Sequence, residues 1–190
     1  MPDKINFIVR FILFAVAHSL FATDWAKNVL HGDGRKGYRL SYNIASLLIF
    51  GWVMSAYRNS EVLYFVPGVW SLLMYLLQVV VAMILVSCLR QTGVGDFIGV
   101  TNNVTNSFTN RGWYSVVRHP LYFFSVLFMV LNPVMTDQWL MLTIMSIVYF
   151  IIGSLIEEKR LVVEFGEAYR QYRRQVPFII PTNSSLLSRR

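Results

Sequence analysis

The chain has 190 residues, 55% of them hydrophobic and 14% charged, with a formal net charge of +7 and a mean hydropathy of +0.50. Soluble domains carry about 25% charged residues, so the composition excludes an ordinary soluble domain and points to a single membrane domain over residues 1–190. The positive charges stand between apolar runs, which argues against a nucleic-acid partner, and one cysteine, Cys88, excludes an intrachain disulfide.

Five apolar spans follow in chain order. The first covers Ile5–Ala22. Lys4, the apolar run and Ala15-Val16-Ala17 imitate a cleavable leader. Arg10 interrupts that run, however, and His18-Ser19 fall inside it, so a retained first helix is expected. A connection punctuated by Gly32-Asp33-Gly34 leads to the second span, Leu40–Ala56, opened by Tyr38, Arg39 and Tyr42 as interface anchors. After a connection from Asn59 to Pro67 comes the third and longest, Gly68–Leu89. The polar stretch from Arg90 to His119 is about 30 residues long and carries Gly93, Gly95, Gly99 and the Asn/Thr-rich run Thr101–Asn110; connections of that length are usually functional or disordered. The fourth span, Leu121–Met135, is short for a crossing of about 20 residues. Asn132-Pro133 and Thr136-Asp137 predict a tight turn into the fifth, Gln138–Ile156. From Glu157 to Gln175, Leu161, Phe165, Ala168, Tyr169 and Tyr172 recur at helical spacing, which predicts a separate interfacial helix. Val176-Pro177 and Ile180-Pro181 stop it. The fold class is therefore all-α, with about five transmembrane helices and a C-terminal interfacial helix.

Alternation across five spans puts 14 of the 17 Lys and Arg residues on one side and Lys4, Arg10 and Arg58 on the other. Positive residues favour the cytoplasmic side. The expected topology is N-terminus outside and C-terminus inside.

The chemistry-bearing residues gather at the two ends of the last hairpin. Arg118 to Thr136 is 18 residues out, and Gln138 to Glu157 is 19 back. At 1.5 Å per residue the arms are roughly 27–29 Å long, so Arg118, His119 and Tyr122 should meet Glu157 and Glu158 at one depth. Pro120 suits the first turn of a helix. Arg118 and His119 would then stand at its N-terminus, where free amides favour an anion. Neighbouring helix residues diverge by about 100°, so Glu157 and Glu158 must do different work: one faces Arg118 or a bound cation, the other its basic neighbours or water. Gly93-Val94-Gly95-Asp96 allows close backbone approach to a ligand, or simply ends a helix. His18 is an intramembrane candidate, either functional or bonded within the bundle. His18, His31 and His119 show no metal-ligand spacing, and no metal is expected.

Read together, these residues resemble the isoprenylcysteine carboxyl methyltransferase and phospholipid methyltransferase superfamily of integral membrane enzymes. The match runs Asn110-Arg111-Gly112-Trp113-Tyr114-Ser115-Val116-Val117-Arg118-His119-Pro120-Leu121-Tyr122, then Glu157-Glu158-Lys159-Arg160-Leu161, then Phe165-Gly166-Glu167-Ala168-Tyr169-Arg170-Gln171-Tyr172 and Val176-Pro177. The first half, with His18-Ser19 and Tyr38-Arg39-Leu40-Ser41-Tyr42-Asn43, looks like bacterial members near the NnrU and methanethiol methyltransferase branches. The resemblance implies a bacterial inner-membrane enzyme that binds S-adenosylmethionine through its C-terminal half, residues 90–181. It implies a cofactor site of Gly93, Gly95, Gly112, Arg118, His119, Tyr122, Glu157 and Glu158, with Arg118, His119 and Glu158 catalytic. The acceptor would be lipophilic or membrane-partitioning: a small molecule, a lipid, a thiol or a carboxylate. Phe123 and Phe124 depart from the family, which often has a glycine there. Two other classes stay open: a non-enzymatic NnrU-like accessory membrane protein, and an NADPH-dependent reductase of the sterol reductase type, for which Arg170, Arg173 and Arg174 offer a phosphate site.

Overall fold

The computed structural model describes residues 2–31, 37–58, 60–95 and 108–182. Helix α1 (Pro2–Phe21) is followed by the short α2 (Asp24–His31), then α3 (Tyr38–Met54), strand β1 (Val62–Phe65) and α4 (Val69–Thr92). A 3-10 turn, Gly112–Ser115, precedes α5 (Pro120–Val130), strand β2 (Val134–Thr136), α6 (Asp137–Phe165) and α7 (Glu167–Gln175). The chain is an all-α membrane protein with a minor two-stranded antiparallel sheet, β1 against β2.

Among the described residues, three helices, Asp3–Phe21, Val69–Thr92 and Asp137–Phe165, are long and apolar enough to cross a membrane. α3 has 17 residues and α5 has 11, which makes α5 roughly 16 Å long, about half of a hydrocarbon core. Bulky apolar side chains cover the outside of the bundle: Leu47, Leu48, Val69 and Leu72 are each about 70% or more exposed. In water this surface would be untenable; in lipid it needs no partner.

Two ends organise the bundle. At the first, Lys4 pairs with Asp137 at 2.5 Å, Ser60 donates to the same carboxylate, and Tyr57 bonds Thr136. Phe7, Phe11, Val53, Ala56 and Leu142 pack behind them, joining α1, α3 and α6. Arg10 caps the end of α3 through the Trp52 carbonyl and Ser55 Oγ, lying over the Trp52 ring. The opposite end gathers the close of α4, the 3-10 turn, the start of α5, the later turns of α6, and α7.

The structure corrects several sequence-based boundaries. The fourth span stops at Val130 rather than Met135. Pro133 cannot donate to a helical ladder, and the chain after it pairs with β1 instead. The fifth span does not end at Ile156. α6 runs unbroken for 29 residues to Phe165, so Glu157 and Glu158 stand inside a helix, and the interfacial helix begins only at Glu167. The break is Gly166, at φ 58, a left-handed conformation that glycine adopts without strain. Glu-Glu-Lys-Arg-Leu before it are all good helix formers. α2 and the small sheet lay in stretches read as connections.

Candidate active site

The hairpin expectation is met in space. Arg118 Nε lies 2.6 Å from Glu158 Oε1, although 40 residues separate them. The start of α5 is fixed from both directions. Pro120 occupies its first turn, while the backbone N–H groups of Arg118 and His119 donate to the carbonyls of Pro177 and Phe178 at 3.0 and 3.3 Å. The segment after α7 thus folds back along the approach to α5.

Arg118 is the hub. Its Nε binds Glu158, and its Nη1 donates to the carbonyls of Arg173 and Val176 at 2.7 and 2.8 Å, closing the C-terminal end of α7. Its guanidinium also lies 5.5 Å from the Phe178 ring centre. Glu158, 4% exposed, places its second oxygen 3.1 Å from Arg173 Nε. One buried carboxylate therefore bridges two arginines and ties α5, α6 and α7 together.

Glu157 is placed differently. Its side chain is 37% exposed. Its Oε2 accepts from the Tyr122 hydroxyl at 3.3 Å and stands 3.8 Å from His119 Nδ1. Tyr122 is stacked between His119 and Phe150. His119 is buried; its Nε2 is 3.4 Å from Glu158 Oε1 but too poorly aligned to bond. Burial pushes the imidazole pKa below its ordinary value, against the opposing pull of Glu157 and Glu158, while Arg118 adds to the lowering. His119 is neutral at neutral pH.

An open cleft of about 360 Å³ beside this bridge is lined by Arg118, Arg170, Arg173 and Arg174. Arg170 and Arg174 reach Glu167 at 3.4 and 3.2 Å, all three well exposed, and such surface pairs are worth little. Their charge is available to a ligand.

The glycines divide. Gly112, at φ 61, faces Gln91 so closely that an added Cβ would lie 2.3–2.7 Å from its side-chain atoms; Gln91 Oε1 accepts from Trp113 N at 3.0 Å. Its lack of a side chain is accounted for by this packing. Gly93, at φ 85, ends α4. Gly95 is the last residue described before the gap, and Asp96 and Gly99 lie outside the described residues. His18 is bonded to Tyr42 and Ser46. Arg118, His119, Tyr122, Glu157 and Glu158 thus converge, and Gly93 and Gly112 lie at the same end of the bundle, at the close of α4 and in the 3-10 turn packed against it. Sequence reasoning missed the Arg173–Glu158 contact, the Val176 carbonyl and Phe178. The only sequence signal for them was the stop at Val176-Pro177, which marks where the chain turns back.

Fold and site together define a helical membrane protein with a buried Arg–Glu–Arg bridge at one end of its last hairpin. The family model described as NnrU protein matches residues 6–128. The chain is 30% identical over 194 residues to the methanethiol S-methyltransferase of Pseudomonas deceptionensis, covering 92% of this chain and 71% of that protein. It is 40% identical over 74 residues to the protein of the same name from Crocosphaera subtropica, and 34% identical over 68 residues to that from Mycobacterium tuberculosis. These two matches cover 39% and 36% of this chain, and 29% and 28% of the relatives. No solved structure matches. The chain belongs to the NnrU family.

Proposed function

We propose that the protein transfers the methyl group of S-adenosylmethionine to a small membrane-partitioning nucleophile, with a thiol as the acceptor class. The observation that carries this reading is the contrast between the two adjacent carboxylates. Glu158 is consumed by two arginines, while Glu157 is left open at the same end of the bundle as a cleft of four arginines. A ligand bearing an ammonium group and a carboxylate fits that donor set. The relatives named methanethiol S-methyltransferase support the reaction and the acceptor class.

S-adenosylmethionine, when bound, would supply a methyl carbon already activated on a sulfonium sulfur, with the neutral thioether as its leaving group. The protein's part is alignment and removal of one proton. In this reading Glu157 would hold the ammonium group. Arg170 and Arg174 of the cleft would hold the carboxylate through charge-assisted bonds. Arg118, Glu158 and Arg173 lock α7 against the hairpin, so these holders keep a fixed separation, and fixed geometry is the main source of rate in such a transfer. His119, neutral because it is buried, takes the acceptor's proton at the ring nitrogen facing Glu157.

The four-arginine cleft also suits a phosphate, the chemistry of an NADPH-dependent reductase, so the test carries both cofactors. Calorimetry on the purified protein should show micromolar-range binding of S-adenosylmethionine, roughly −8 kcal/mol. Heat from NADPH alone would favour the reductase. Silence from both in folded protein would favour the accessory protein.

A further inference from the structure

The first helix carries a polar cluster that the transfer described above does not use. His18, three residues before the end of α1, has both ring nitrogens occupied: Nδ1 by Ser46 Oγ at 2.9 Å and Nε2 by the Tyr42 hydroxyl at 2.7 Å. A neutral imidazole has one donor and one acceptor nitrogen. Either hydroxyl can complement it, and both ring positions are satisfied. The ring also lies against Phe14 and Tyr42 and meets Tyr149 of α6 edge-on, with centres 6.2 Å apart. His18 is thus a fixed wall rather than a mobile group.

Tyr149 has a looser hold. Its hydroxyl lies 3.3 Å from Ser19 Oγ, and Ser19 is on the exposed face of α1. Val16, Leu20, Val148 and Ile152 on the same two helices are exposed and apolar, so this pair of hydroxyls opens onto what would be lipid. On its other side Tyr149 adjoins Phe150, with ring centres 6.2 Å apart, and Phe150 stacks on the Tyr122 ring at 5.0 Å. Tyr122 in turn donates to Glu157. Along α6, eight residues separate Tyr149 from Glu157, about 12 Å at the helical rise. A run of aromatic rings, Tyr149, Phe150 and Tyr122, therefore leads from the hydroxyl pair at the bilayer face of α1 and α6 toward the open carboxylate.

We propose that Tyr149 and Ser19, braced by His18 and Tyr42, form the acceptor-side subsite, taking a small uncharged thiol from the membrane and orienting its S–H toward the Tyr122–Glu157 end. This rests on the methyl-transfer reading. Hydroxyls facing lipid are unfavourable unless partnered, and the loosely paired Tyr149 and Ser19 can donate a hydrogen bond to a thiol or thioether sulfur, a weak acceptor, which leaves the S–H of a thiol free to point inward. Tyr149 is the contact residue, and His18 is a positioning residue acting through Tyr42 and Tyr149.

The test uses the full-length protein in lipid nanodiscs with ethanethiol as acceptor. Tyr149→Phe, which removes one oxygen, should raise the KM for ethanethiol about five- to tenfold, the worth of one hydrogen bond. Its kcat should stay within about twofold and its calorimetric affinity for S-adenosylmethionine should not change. His18→Phe should move KM in the same direction. An activity-independent arm uses Ser19→Cys, labelled by a membrane-permeant methanethiosulfonate. The buried Cys88 of the parent chain gives the background, and saturating diethyl sulfide should slow labelling several-fold. Unchanged KM in Tyr149→Phe, or no protection of Ser19→Cys, overturns the subsite. A wild-type protein that binds no S-adenosylmethionine overturns the methyl-transfer reading instead, and the labelling arm still reports on the subsite.

Discussion

Replacing Glu158 by alanine should destabilise the protein far more than changing its neighbour. The substitution leaves the Arg118 guanidinium, 10% exposed on its side chain, without a counter-charge, and takes one carboxylate from Arg173. Breaking a buried pair by removing one partner costs about 3–5 kcal/mol. The Arg173 arm adds at most about 1 kcal/mol because that side chain is 44% exposed. Arg118 retains its bonds to two carbonyls, which holds the expected loss to about 3–4 kcal/mol. For a chain of this size that is a fall in unfolding temperature of roughly 6–16 °C, read from tryptophan fluorescence in detergent, with earlier proteolysis around Gly166 as α7 loosens. Arg118→Ala should cost at least as much, since it also uncaps α7. The double mutant should fall short of the sum by about 2–3 kcal/mol, because both changes break one contact. Additivity within about 0.5 kcal/mol would refute the bridge as the element that holds α7. Glu157→Gln is the control. Its amide oxygen can still accept from Tyr122, so stability should move by less than about 0.5 kcal/mol. Donor affinity should drop by about 1.5–3 kcal/mol, and the reverse pattern would reassign the two carboxylates.

Three further outcomes are expected. Because the folded-state pKa of His119 is depressed, chiefly by burial, its contribution to stability is complete above the unfolded value of about 6.5 and is lost as pH falls from there through the folded value; His119→Phe should flatten that limb of a melting-temperature profile, and an unchanged acid limb would contradict the assignment. Gly112→Ala should cost about 1–2 kcal/mol for its left-handed backbone and about 1 kcal/mol for displacing Gln91 from Trp113, and Gln91→Ala in the same chain should recover only the collision; full recovery would mean the backbone is unstrained. Reporter fusions after Ser60 and Gln175 should read opposite sides of the membrane, and the same side for both would overturn the topology drawn from the charge asymmetry.

Much of the site was legible because it depended on two quantities a sequence carries plainly. Helical rise turned the spacing between Arg118 and Glu158 into a distance, and the 100° step between Glu157 and Glu158 required them to face different surroundings. The structure supplies which faces which: Glu158 inward to Arg118 and Arg173, Glu157 outward past Tyr122. What was not legible has a common origin. Arg118 is held by the carbonyls of Arg173 and Val176, and the backbone of Arg118 and His119 by those of Pro177 and Phe178. A carbonyl has no side-chain identity, so no residue pattern announces it. The helix break was misplaced for a related reason. The charges at Glu157–Arg160 look like the end of a span, but charge does not stop a helix; the left-handed backbone at Gly166 does. That misplacement matters for chemistry. Because α6 continues about two turns past Glu158, the carboxylates sit on a rigid rod rather than at a fraying end, with α7 folded back beside them. A rigid rod can hold two adjacent side chains in two fixed directions, one in the bridge to Arg118 and Arg173 and one beside Tyr122, and a frayed terminus cannot.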